Sequence, residues 1–283
     1  LPIVLLVLIA LGWRWLTPAE QFAAPASSLH PPAPPPIKST AELPTADEFA
    51  HLVTTDAFAA LDACLLRYSR EVKGYRTLLI KQERVNGKLG PIEQIDAAFR
   101  EEPFSVFLSW RSGWGRADRT LYVRGANDNQ LMLRPTGLAR AAWNAAAALG
   151  KPLSIGRDPL GAEVMEAARF PITEFGVRKG TERTIRDWKA AEAKGVLKLD
   201  YLGKRSFPEF DQRPCYVLHR RSEVPEQDNV ADVTIIIDAE TWLQVGSILK
   251  NPAGEVVGSY LFTKIELNPK FGADDFQTLL LAK

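Results

Sequence analysis

After Thr45 the apolar positions fall into two periods. Phe49, Leu52, Val53, Phe58, Leu61, Leu65 and Leu66 recur at helical spacing up to about Ser69. Thr45 and Glu48 form a capping box that starts this helix, and Val53-Thr54-Thr55 marks a break into two pieces. Beyond Gly74 the period drops to two. "YRTLLIKQERVNGKLGPIEQIDAAFREEPFSVFLSW" reads as strand, turn at Asn86-Gly87, strand, bend at Pro103, strand. "RTLYVRGANDNQLMLRP" adds a hairpin turning on Asn127-Asp128-Asn129. In "REEPFSVFLSW" alternation puts Phe104, Val106, Leu108 and Trp110 on one face and Ser105, Phe107 and Ser109 on the other. The first face is large and apolar, so it either packs a core or walls a cavity.

A helical insertion over about 137–195 then interrupts the strands. "GLARAAWNAAAALG" predicts an Ala-rich helix with one large side chain, Trp143. Its small residues suit a movable cover over an apolar surface, or an ordinary surface helix. "IGRDPLGAEVMEAARFPITEF" reads as a loop, with a further helix near Thr173 to Gly195. Strands resume at "VLKLDYLG", "PCYVLHRRS", "DVTIIIDAETWLQVGSIL" and "EVVGSYLFTKIELN". With roughly nine to eleven strands, mostly neighbours in sequence, the fold class is α+β. The expected architecture is a strongly curved antiparallel sheet, an incomplete β-barrel, with helices covering its concave face.

The N-terminal part has another texture. "LPIVLLVLIALG" is an uncharged apolar run, followed by Trp13 and Trp15 flanking Arg14, and residues 1–25 suit a signal peptide or a membrane anchor. Residues 26–44 are Pro-rich and read as a stiff, extended linker. Residues 45–283 form one domain in this reading, held outside the cytoplasmic membrane, in the periplasm or tethered there. The two cysteines, Cys64 and Cys215, have no metal-ligand spacing. An oxidising compartment permits a disulfide between them, and two separate buried thiols are the alternative.

Charge and chemistry narrow the function. The 283 residues carry 35 Lys and Arg against 34 Asp and Glu, which gives no field for nucleic acid. There is no H-E-x-x-H, G-x-S-x-G, phosphate-cradling loop or Cys/His cluster, so neither a catalytic site, a metal nor a cofactor is expected. Of three histidines, His30 lies in the linker, His51 in the first helix and His219 in a strand, where a solvated position is expected. Asp274-Asp275 read as turn or cap residues, and Glu101-Glu102 as solvated residues at a strand edge.

The elements "YRTLLIKQERVNGKLGPIEQIDAAFREEPFSVFLSW", "RTLYVRGANDNQLML", "RFPITEFG", "RPCYVL" and "YLFTKIELNPKFGADDF" resemble an uncharacterised family of exported bacterial proteins, a domain of unknown function. That family is similar to the LolA/LolB-like lipoprotein-carrier superfamily. The resemblance runs from about Leu61 to Phe276 and implies an incomplete barrel with a helical lid over an apolar cavity that holds acyl chains. The expected function is therefore a non-catalytic cell-envelope binding protein for a lipid or lipoprotein acyl chain. Phe104, Val106, Leu108, Trp110, Tyr122, Leu131, Leu133 and Trp143 are its expected cavity lining. An envelope regulatory or structural module that binds a protein partner, its cavity filled by its own side chains, is the alternative. An enzyme whose site is spread over the strands is a third class.

Overall fold

The structure, a computed structural model, describes residues 42–149, 155–222 and 229–282. The apolar run and nearly all of the Pro-rich linker lie outside the described residues. The first helical stretch is two helices, α1 (Ala46–Thr55) and α2 (Ala57–Glu71). Thr45 caps α1 as the sequence predicts: its Oγ1 accepts from the Glu48 amide, and the Glu48 carboxylate accepts from the Thr45 amide at 2.7 Å. The break comes at Asp56, whose carboxylate accepts from the Ala59 amide and starts α2.

The strands then run β1 (Gly74–Val85), β2 (Lys88–Leu89), β3 (Glu93–Arg100), β4 (Ser105–Ser112), β5 (Ala117–Val123), β6 (Leu131–Pro135) and β7 (Ile155–Arg157). After the helical insertion come β8 (Lys198–Ser206), β9 (Pro214–Arg221), β10 (Asp232–Asp238), β11 (Gln244–Lys250) and β12 (Val256–Leu267). The described strands number twelve in one sheet, ordered β7-β6-β5-β4-β3-β1-β12-β11-β10-β9-β8, with β2 paired to β1. The additions to the expected set are short: β2 is cut off before Gly90-Pro91, and β7 lies in a segment that reads as a loop. Two antiparallel meanders thus meet where β1 pairs with β12, and β7 and β8 remain the two edges of an open sheet. The sheet is not a closed barrel.

The insertion supplies α3 (Gly137–Ala148), α4 (Ala162–Met165) and α5 (Val177–Ala193). The covering helix is α5, not the Ala-rich α3. Trp143 anchors α3 with Arg140 over its ring, while Leu138 on the same helix and Leu149 just beyond its end are mostly exposed. Helix α5 buries Val177, Thr181, Ile185, Trp188 and Ala191, the stripe expected of a helix packed along one face. Gly176 fixes its entry: it has φ +114°, and a Cβ there would meet the Tyr75 hydroxyl at 2.9 Å. That hydroxyl accepts from the Val177 amide at 3.1 Å.

Beyond β12 the chain returns across the outer face of β3 to β6, where Phe271, Phe276 and Leu281 pack with Ala98, Leu121 and Met132. Asp275 serves as a turn residue, accepting from the Gly272 amide and pairing with Arg76 at 2.6 Å. His219 departs from expectation, being buried with its Nε2 2.8 Å from the Asp232 carboxylate. The Glu101 carboxylate accepts from the Tyr68 hydroxyl. Of the two arrangements open for the cysteines, the structure has the free thiols: Cys64 and Cys215 are buried in different clusters. Burial pushes the Cys215 thiol up to about 11 and Cys64 higher still.

Candidate functional site: a cavity under helix α5

Between the concave face of the sheet and α5 lies a cavity of about 1570 Å³. Each strand gives it alternate residues: Leu79 from β1, Ile95 from β3, Leu108 and Trp110 from β4, Leu131 and Leu133 from β6, Phe262 from β12. Strands from β7 round to β9 contribute, which is possible only because the sheet curves. Opposite the sheet stand α5 and the segment before it, with Ile172 and Phe175.

The expected lining residues separate along the strands. Phe104, Val106 and Tyr122 belong to solid core: Phe104 lies 5.4 Å from the Phe99 ring and 6.0 Å from Tyr122, and Val106 is 0% exposed. Two residues further along β4 the core borders the cavity: Leu108 and Trp110 line it, as do Leu131 and Leu133, while Leu108 and Leu131 remain buried in the same cluster as Phe104. Trp143 is buried outside the lining, and α3 reaches the cavity through Leu138 and Ala139. The reason is placement: α3 packs against β6 at the end of the sheet, while the concave face is spanned by α5.

A polar row crosses the apolar wall, with no counterpart among the lining residues expected from strand alternation. Lys81 stands opposite Glu93 on β3 and Tyr260 on β12, and Glu83 follows on the same face of β1. The Lys81 ammonium lies 3.1 Å from Glu83 and 3.3 Å from Glu93. The Tyr260 hydroxyl donates to Glu83 at 2.7 Å, and the Trp110 indole N–H donates to Glu93 at 2.5 Å. Burial opposes the Lys81 charge, but the two carboxylates outweigh it and hold the ammonium's pKa above its ordinary value. Burial, then the Glu83 carboxylate, push the Tyr260 hydroxyl well up. The available signal was Lys81 and Glu83 at i and i+2 beyond Leu79, charges on a strand's inward face.

The row is a hydrogen-bonded, charge-paired network, and among the described residues no His, Cys, Asp or Glu group is arranged to hold a metal. At the mouth, Trp114 is 54% exposed and Leu138 78%, next to Pro91 and Arg116. No helix of the described residues is long and apolar enough to cross a membrane.

The fold is similar to several solved structures. In a complex of Pseudomonas aeruginosa MucA and MucB, a chain 14% identical matches with a TM-score of 0.44, over 79% of this chain and 61% of its own length. This protein therefore spans about three fifths of that relative. Lipoprotein LppX of Mycobacterium tuberculosis is 14% identical, with a TM-score of 0.41 over 77% of this chain and 99% of its own. A LolA superfamily protein from Nitrosomonas europaea is 9% identical, with a TM-score of 0.30 over 78% and 99%. No protein of curated function matches the sequence. The model of a family described as protein of unknown function, DUF1571, matches residues 72–279, and the chain belongs to that family.

Proposed function

We propose that this protein is a non-catalytic binding protein of the cell envelope that holds a lipid or lipoprotein acyl chain under α5. The observation that carries this reading is the cavity itself, walled on the sheet side by Leu79, Ile95, Leu108, Trp110, Leu131 and Leu133. Its volume of about 1570 Å³ exceeds the few hundred to about 1,000 Å³ of ordinary small-molecule pockets. Each methylene moved from water into such a wall contributes about 0.8 kcal/mol, so a chain of a dozen carbons binds without a catalytic group. The apolar run and Pro-rich linker support a position outside the cytoplasmic membrane, tethered or released.

Native mass spectrometry of the full chain purified from envelope fractions tests the proposal. Adducts with acyl-chain masses are expected, and delipidated protein should take up a fluorescent acyl probe. Bare protein that binds no acyl probe would defeat it. The second reading, a module that seats a protein partner, draws on exposed Trp114 and Leu138 at the rim. A stable envelope-protein complex without any acyl adduct would favour it.

A further inference from the structure

The side of the cavity facing the sheet is not wholly apolar, carrying polar and charged side chains beside Ile172, Phe175, Val177 and Trp188. Helix α5 lines it with Gly180, Arg183, Thr184, Arg186, Asp187 and Ala190. Thr184 is engaged, donating to the Gly180 carbonyl and accepting from the Gln244 amide. Arg186 is paired with Asp187 at 3.0 Å and is largely exposed. Arg183 differs from both. Its side chain is only 17% exposed, and its guanidinium carbon lies 3.7 Å from the centre of the Phe170 ring. Phe170 itself stands 5.9 Å from Tyr260 in the polar row. Two carboxylates lie near Arg183: Glu174 at 3.9 Å, too far for a hydrogen bond, and Asp187, which is paired with Arg186.

A guanidinium carries five N–H donors in a planar fork, and removing it from water without acceptors is costly. Burial, with Arg186 nearby, draws the pKa of Arg183 below its ordinary value despite Glu174. The stacked ring holds the fork in place in advance, so an incoming oxyanion need not order it. The acids across the cavity do not supply that oxyanion: Glu83 is held by Lys81 and Tyr260, and Glu93 by Lys81 and Trp110. Arg169 adds a second cation over the same ring, at 5.6 Å.

We propose that Arg183 is the head-group site of the cavity and that its ligand is an anionic amphiphile, a carboxylate or phosphate ester on an acyl chain. The chain lies along Leu108, Trp110, Leu131 and Leu133, and the head sits on the Arg183 fork beside Phe170. This rests on the acyl-binding reading above and adds the charge of the ligand to it.

The experiment is titration calorimetry of the full chain with laurate, methyl laurate and inorganic phosphate. Charge-assisted hydrogen bonds predict that laurate binds about tenfold or more tighter than its ester. Phosphate alone should bind negligibly. Arg183→Gln should bring laurate down to the affinity of the ester, and Arg183→Lys should retain part of the preference. Thermal melting of both variants shows whether the fold is intact, and the acid-to-ester comparison in the unmodified protein needs no variant. Equal affinity for laurate and ester would overturn the head-group site while leaving the acyl-binding reading intact. Equal losses of both ligands in a folded Arg183→Gln, or tight binding of phosphate alone, would also overturn it. Failure of both laurate and methyl laurate to bind would overturn both proposals.

Discussion

The two halves of the sheet's concave face are built from similar strands and covered differently. Over β9 to β11, α1 and α2 drive Phe49, Leu61 and Cys64 into Leu218, Ile235 and Ile237, and α5 adds Ile185 and Trp188. Phe49 stacks on Trp242 with ring centres 4.1 Å apart and the planes 10° from parallel. That half is solid. Over β1, β3, β4 and β6 the sheet offers Leu79, Ile95, Leu108, Leu131 and Leu133 beside the charged row, and past Val177 α5 presents Gly180, Arg183, Thr184 and Asp187 to them. Small and charged side chains cannot fill the space, so a void remains. The same helix closes one half with one face and roofs the cavity with another. What is opposite a strand, more than the strand itself, decides whether its inward residues are core or binding surface.

The comparison is broken most strongly on the solid side. Phe49→Ala should cost about 3–5 kcal/mol in denaturant unfolding, because transfer and cavity terms add where no collapse is possible. It should leave the acyl-probe affinity unchanged once the protein is folded.

A loss of about 3 kcal/mol is expected for Lys81→Met, which strands Glu83 and Glu93 in the cavity wall without their cation. The pH dependence has a definite sign. The folded Lys81 pKa is raised above its ordinary 10.5, so its contribution is complete below that value and disappears as pH climbs through the folded one. Melting curves from about pH 9 to about pH 12 should show an alkaline decline in the unmodified protein that is smaller in Lys81→Met. Identical profiles would show that the ion pair contributes nothing.

On the open side, Leu133→Ala should cost only about 1 kcal/mol, since a side chain facing a void has fewer partner atoms to lose. Acyl-probe binding should weaken instead. A core-sized loss of stability would show that the void is filled by the protein itself.

The smallest expected change in stability is on α5. A Cβ at Gly180 meets nothing within 4 Å, so Gly180→Ala should raise stability by about 0.5–1 kcal/mol through helix propensity. Gly180→Leu projects into the cavity and should exclude the probe while the fold persists. Undiminished binding by a folded Gly180→Leu would place the ligand elsewhere.

Much of the local architecture was legible because it depends on near neighbours. The Thr45 capping box, the Asn86-Gly87 and Asn127-Asp128-Asn129 turns and the α3 helix need only residues a few positions apart. Period-two alternation likewise placed Leu108, Trp110, Leu131 and Leu133 on the inward face, where all four line the cavity. It placed Phe104, Val106 and Tyr122 there as well, and they lie in the core away from the lining, whereas Leu108 and Leu131 belong to both. Alternation tells sides apart; it contains nothing about depth along the strand. The short β7 and the covering role of α5 were missed for the same reason, since each depends on a distant partner.

The sequence by itself determined the class of fold, the position of the turns and the inward side of each strand, because helix caps, turn dihedrals and the two-residue pleat are local properties of the chain. Only the tertiary structure decided that Lys81, Glu93 and Tyr260 share one row, that Arg183 faces the same cavity, and that Phe104 is packed where Trp110 is open. Pairing register and empty space are set by atoms far apart in sequence, and a void is recorded in no residue of its own.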